Sequence, residues 1–179
     1  MTFVERKRKA KRLSGYDYST PSAYFVTVCT MSRVSNFGEI VDGQMTINES
    51  GSLAIQFWCE IPRHYLNVDI DEFQLMPNHI HGIIILKELS IVGTAHCAVR
   101  EPNQNSGQTV KAGNLSRIVK SYKNAASKAI KEKLPNSNFE WQRSFYDHII
   151  RTEESLNDIR RYIRENPMKW ELDKYYSHQ

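Results

Sequence analysis

The sequence predicts an α+β fold: an antiparallel β-sheet with helices packed on one face. Three observations carry this. Short β-branched and aromatic runs alternate with longer segments of helical periodicity, tight hairpin signals join several of the runs, and no internal repeat is present.

The elements follow in order. Residues 1–20 read as a basic arm. Ala23-Tyr24-Phe25-Val26-Thr27-Val28-Cys29-Thr30 is rich in strand formers and opens the sheet. Asp42-Gly43 between Gly38–Val41 and Gln44–Ile47 is a two-residue hairpin signal. Asn48 or Ser50 then caps a helix running to about His64, with Leu53, Phe57, Trp58, Ile61 and Tyr65 on one stripe. Strands over Val68–Leu75 and His79–Leu86 are joined by Met76-Pro77-Asn78. Residues 87–113 are polar, aperiodic and rich in Gly, Asn and Gln, as in a surface excursion. Asn114 or Ser116 starts a helix to about Lys133, whose stripe of Leu115, Ile118, Val119, Tyr122, Ala126, Ala129 and Ile130 faces the core. Phe145–Arg151 is the last strand. A helix opened by Thr152 carries Leu156, Ile159, Tyr162 and Ile163, stops at Pro167, and is followed by a short element from Trp170. This divides the chain into an arm (1–20), a main domain (21–151) and a C-terminal helical extension (152–179).

Composition narrows the function. With 179 residues, 40% hydrophobic and 25% charged, the chain suits one globular domain. It has no run of the roughly 20 apolar residues that cross a bilayer. Three widely spaced cysteines, Cys29, Cys59 and Cys97, suit free thiols in a cytoplasmic protein. The net charge is only +4, but it is clustered. Arg6, Lys7, Arg8 and Arg12 lie in the arm, and Arg117, Lys120 and Lys123 on one helix. Such clusters are the footprint expected for phosphate backbones, and equally of a solvated face.

The chemistry concentrates at His79 and His81. Side chains alternate along a strand, so both rings point to one face while Ile80 points to the other. Two imidazoles on an apolar strand are costly without partners and can chelate one divalent ion, suiting Mn, Zn, Fe or, less naturally, Mg. Tyr122 lies on its helix's apolar stripe; it is a core residue by periodicity, or a nucleophile if that stripe faces the histidines.

The string Met76-Pro77-Asn78-His79-Ile80-His81-Gly82 resembles the His-hydrophobic-His motif of the single-tyrosine HUH transposases. Gly15-Tyr16-Asp17-Tyr18-Ser19 ahead of Tyr24-Phe25-Val26-Thr27 is similar to that family's first strand, and Ile118–Ala125 to its nucleophile helix. Trp141–Arg151 with Glu153-Glu154 resembles the C-terminal block of the REP-associated branch. The resemblance spans about residues 12–170, outside the 87–113 loop. It implies a ferredoxin-like fold over 21–151 and cutting and rejoining of single-stranded or hairpin DNA. His79 and His81 would hold Mg or Mn, and Tyr122 would form a 5′-phosphotyrosine. Arg143 joins Arg6, Lys7, Arg8, Arg12, Arg117, Lys120 and Lys123 as candidate DNA contacts. Relatives place Asn or Gln four residues after the tyrosine, where this chain has Ala126; His148 is a candidate third ligand, and packing is its more ordinary role. Ala126 also raises an alternative, a domesticated hairpin-binding protein with weak or lost cleavage. A water-using nuclease is a third reading. Homodimer and monomer both stay open.

Overall fold

The structure, a computed structural model, describes residues 15–88, 113–173 and 175–176. The elements are β1 (Ser22–Cys29), β2 (Gly38–Val41), β3 (Gln44–Ile47), α1 (Glu49–Cys59), α2 (Ile61–His64), β4 (Val68–Met76), β5 (His79–Leu86), α3 (Leu115–Lys133), β6 (Tyr146–Ile150) and α4 (Glu153–Glu165). Two 3-10 turns lie at Met31–Arg33 and Pro167–Leu172. Four strands form one antiparallel sheet in the order β4-β5-β1-β6, the ferredoxin-like arrangement, and β2-β3 form a separate hairpin.

Local chemistry accounts for the boundaries. At the β2–β3 turn Asp42 and Gly43 both have positive φ, 50° and 72°, as a type I′ hairpin requires. Of the alternative caps, Asn48, Asn114 and Thr152 are the ones used; their side chains accept from Gly51, Arg117 and Ser155 N–H. The helix expected to reach His64 breaks after Cys59. Pro62 has no N–H to give and its ring collides with the carbonyl four residues back, so the chain restarts as the short α2. Residues 15–20 are packed: Tyr16 and Tyr18 lie against Tyr24, and the Tyr18 carbonyl accepts from Leu115 N–H at 3.1 Å. The arm therefore ends earlier than residue 20, and its residues 1–14 lie outside the described residues, as does most of the 87–113 loop.

The helical layer expected on one face consists of α1 and α3. It meets Tyr24, Val26 and Val28 of β1 and Ile80 and Ile84 of β5 in the main core. Trp58 of α1 is fully buried there, and it sits so close to β5 that a Cβ on Gly82 would lie 2.3 Å from its Cζ2. The glycine of the histidine strand is thus a packing requirement. The opposite face, with Phe25, Ile83, Ile85 and Ile150, is covered by α4 through Leu156, Ile159 and Ile163. The stretch from residue 152 therefore adds a third layer to the domain. A bulge in β4 between Ile70 and Phe73 turns Asp71 and Glu72 toward α4. Arg160 grips Asp71 through two bonds of 3.2 and 2.5 Å, and Arg164 reaches Glu72 at 2.8 Å.

Gly82→Ala is expected to destabilise the domain by about 1–3 kcal/mol, because Trp58 must shift or the strand must bend; the denaturant midpoint reports it. The Arg160 hydrogen bond holds the Asp71 carboxyl below its ordinary 3.8. That contribution is full above the ordinary value and is lost as pH falls through the lowered one. Asp71→Asn should therefore lower the melting temperature at neutral pH and flatten its fall in acid.

Candidate functional site

β5 is a central strand, hydrogen-bonded to β1 and β4 on either side. His79 stands opposite Cys29 and Met76, and His81 opposite Thr27 and Gln74. Both rings therefore project to the α4 face, with centroids 4.4 Å apart. Each is oriented through Nδ1. The Asn78 amide donates to the carbonyls of Arg33 and Tyr175 at 3.0 and 2.9 Å, which turns its Oδ1 toward His79 Nδ1 at 2.8 Å. His79 Nδ1 is then the protonated nitrogen and Nε2 the ligand nitrogen. His81 Nδ1 shares a 2.8 Å hydrogen bond with Thr27 Oγ1, and Phe25 stacks on the ring at 5.2 Å.

The chain beyond α4 closes over this pair. Asp173 Oδ2 lies 4.0 Å from His81 Nε2, and the ligand atoms of His79, His81 and Asp173 all fall within 4.8 Å of one another. Burial works to raise the Asp173 carboxyl. The Tyr175 N–H, donated at 2.6 Å, and the facing His81 and His79 imidazoles outweigh it and hold the carboxyl at about 2. It is therefore a carboxylate at neutral pH. Tyr175 packs over both imidazoles, with centroids 4.8 Å from His79 and 5.9 Å from His81, and both histidines have 0% exposure.

Tyr162 enters from α4. Its hydroxyl lies 3.4 Å from His81 Nε2 and its ring meets His81 and Phe25 edge-on. Burial raises its pKa and the Asp173 charge adds to this, while the Asn166 amide acts against both. Asn166 follows one turn later at the helix C-cap. It is 3% exposed, and neither polar atom of its side chain makes a hydrogen bond among the described residues. Two imidazoles and a carboxylate fit a divalent ion, which His79, His81 and Asp173 could hold.

Tyr122 stands elsewhere. The α3 stripe faces the main core, where β5 presents Ile80 and Ile84 rather than histidines. The Tyr122 hydroxyl donates to the Ala54 carbonyl at 3.2 Å, and the ring packs on Trp58 and Trp141. Burial and the neighbouring Cys59 push its pKa up. With the sheet between them, Tyr122 is out of reach of the histidines and is a core residue. Ala126 belongs to the same core at 0% exposure, so the gap expected there is not a gap in the site. His148 is exposed on β6, opposite Phe25, and stands outside the group, whose third member is Asp173.

The basic candidates do not converge on the histidines. Arg117 and Lys120 are exposed on α3, beyond the main core. Lys123 Nζ donates to the carbonyls of Gln142 and Arg143 at 2.5 and 3.3 Å, and burial lowers its pKa. Arg143 is exposed. Arg6, Lys7, Arg8 and Arg12 lie outside the described residues.

Sequence reasoning missed Tyr162, Asn166 and Asp173. A signal for the first two was present: an Asn four residues after a tyrosine, just before Pro167.

No protein-family model matches the chain. An uncharacterized protein of Haemophilus influenzae is 36% identical over 176 residues, covering 94% of this chain and 93% of that protein. Among solved structures, a REP-associated tyrosine transposase bound to a REP hairpin aligns with a TM-score of 0.52 at 16% identity, over 91% of this chain and 76% of that one. At that identity the likeness concerns the fold.

Calorimetric titration with Mn is expected to give one site. His81→Ala and Asp173→Ala should each weaken it at least about tenfold, and Tyr162→Phe should leave it nearly unchanged. Equal affinities in all four proteins would remove the metal assignment.

Proposed function

This chain belongs to the family of the Haemophilus influenzae protein, and from its site we propose that it cleaves and rejoins single-stranded DNA through Tyr162. The observation that carries the reading is the Tyr162 hydroxyl at 3.4 Å from His81 Nε2, with Asn166 one helical turn on. A phenol with a pKa near 10 is a weak nucleophile at neutral pH. It becomes useful where the phosphate it attacks is polarised, which is what a divalent ion on His79, His81 and Asp173 supplies when bound.

The residues divide the remaining work. Asn78 and Thr27 fix the two imidazoles. Tyr162 Oη bonds to phosphorus, the bond to the 3′ oxygen breaks, and the phenolic proton ends on the released 3′-hydroxyl. The 5′-phosphotyrosine keeps the phosphodiester's bond energy, so a 3′-hydroxyl can reverse the step and rejoin the strand. Because both histidines are fully buried, DNA reaches them only when Tyr175 and its neighbours move aside.

The comparison structure held a REP hairpin, and hairpin DNA is the substrate class proposed for this chain too. Arg6, Lys7, Arg8, Arg12, Arg117, Lys120, Lys123 and Arg143 are its candidate phosphate contacts. Those on α3 lie away from the chemistry and suit a stem better than the scissile strand. Nucleophile and metal ligands come from one chain, so a monomer is sufficient. Among the described residues no helix is long and apolar enough to cross a membrane. The alternative, a hairpin-binding protein with weak or lost cleavage, drew on Ala126; Asn166, one turn after Tyr162, favours the cleaving reading.

The test is incubation of the full chain with single-stranded hairpin oligonucleotides carrying flanking sequence, in Mn or Mg. A covalent protein–DNA adduct is expected. Tyr162→Phe should lower its yield by on the order of 10³-fold or more, and Tyr122→Phe should retain it. An adduct that survives Tyr162→Phe, or free cleaved product without any adduct, would sink the proposal; the second result would instead point to a water-using nuclease.

A further inference from the structure

Next to the metal group lies a cleft of about 700 Å³, open between the β2–β3 hairpin and the Pro167–Leu172 turn, with Pro77 in its lining. Trp170 and Tyr176 also line it, their ring centroids 5.3 Å apart at 81°. Trp170 is shared with the site, because its ring also lies 6.0 Å from His79. A strand whose phosphate sat at the histidines would have this opening within reach of a neighbouring nucleotide.

The chemistry of the lining is distinctive for a DNA-facing surface. Glu39, Asp42 and Glu171 contribute carboxylates. Lys169, the cation among the described residues of this lining, is bonded to Glu165 at 2.6 Å. Such a cleft repels phosphate and offers acceptors. It suits a flat neutral group with a π-face for the aromatic wall and N–H donors on its edge, which describes a base with an exocyclic amino group. Thymine is the poor fit, because its one edge N–H lies between two carbonyls that face the carboxylates.

We propose that this cleft binds an unpaired base adjoining the scissile phosphate, and that Glu39, Asp42 and Glu171 admit a base bearing an exocyclic amino group over thymine. The assignment rests on the single-stranded DNA reading above. Phosphate grip and base choice are then separated in space: the histidine group holds the backbone, and the hairpin with the 3-10 turn reads the base.

The experiment measures binding rather than cleavage. Fluorescein-labelled dA8, dC8 and dT8 are titrated by anisotropy into the full chain carrying Tyr162→Phe, at one fixed salt concentration. The dA8 and dC8 oligonucleotides should bind about tenfold more tightly than dT8. In the combined Glu39→Gln, Asp42→Asn, Glu171→Gln variant the three should fall within about twofold, since amides offer donors to thymine as well. All three positions are exposed, and an unchanged melting temperature verifies that the variant folds. Equal, measurable binding before substitution overturns the base site and leaves the DNA reading standing. A preference that survives the triple substitution also overturns it. Failure to bind any of the three overturns the base site, and the hairpin-adduct assay described above decides the DNA reading separately.

Discussion

The period-two alternation of β5 is the constraint on which the rest of this molecule depends. As a central strand it is locked by β1 and β4, so a one-residue slip would drive two imidazoles into the main core and Ile80 and Ile84 out of it. The turn that leads into it is clamped in turn. Phe37 N–H donates to the Pro77 carbonyl, and Thr30 uses both N–H and hydroxyl on the Asn78 carbonyl. With register held, every other residue of the strand has one meaning on each face. The histidines meet Thr27, Phe25 and the C-terminal segment, while Gly82 makes room for Trp58.

The second face is built around that constraint. The β4 bulge breaks the ladder at Asp71 and Glu72, and the carboxylates it frees are spaced to meet Arg160 and Arg164, one helical turn apart on α4. Leu156, Ile159 and Ile163 seat the helix on the sheet between these charged pairs. Tyr162 lies between the two arginines in sequence and is carried to His81 by the same docking. Its placement follows from a bulge in a strand that it never touches in sequence. Asn166 then ends the helix, and the turn beginning at Pro167 redirects the chain so that Asp173 returns over the histidines.

Much of this was legible in the residues. Alternation placed His79 and His81 on one face, Asp42-Gly43 announced its hairpin, and capping residues marked the helix starts within two positions. Tyr122 was misplaced for a definite reason. A helical stripe says which side of the helix is apolar, but it does not say which side of the sheet that helix covers. Both α1 and α3 cross between parallel strands of one sheet, and right-handed crossovers put them on the same face. The helix after the last strand is under no such rule. It took the open face, which is the one bearing the histidines.

What the sequence determined by itself was therefore the pairing of His79 and His81 on one face, the fold class and the turns, because each is set by interactions among near neighbours in the chain. What only the tertiary structure decided was the partner of that pair. Tyr162 stands 81 residues from His81, and Asp173 lies further along still. No local period links groups so far apart. Their meeting depends on which face α4 covers and on where the chain returns after Pro167, and both are settled by packing across the sheet.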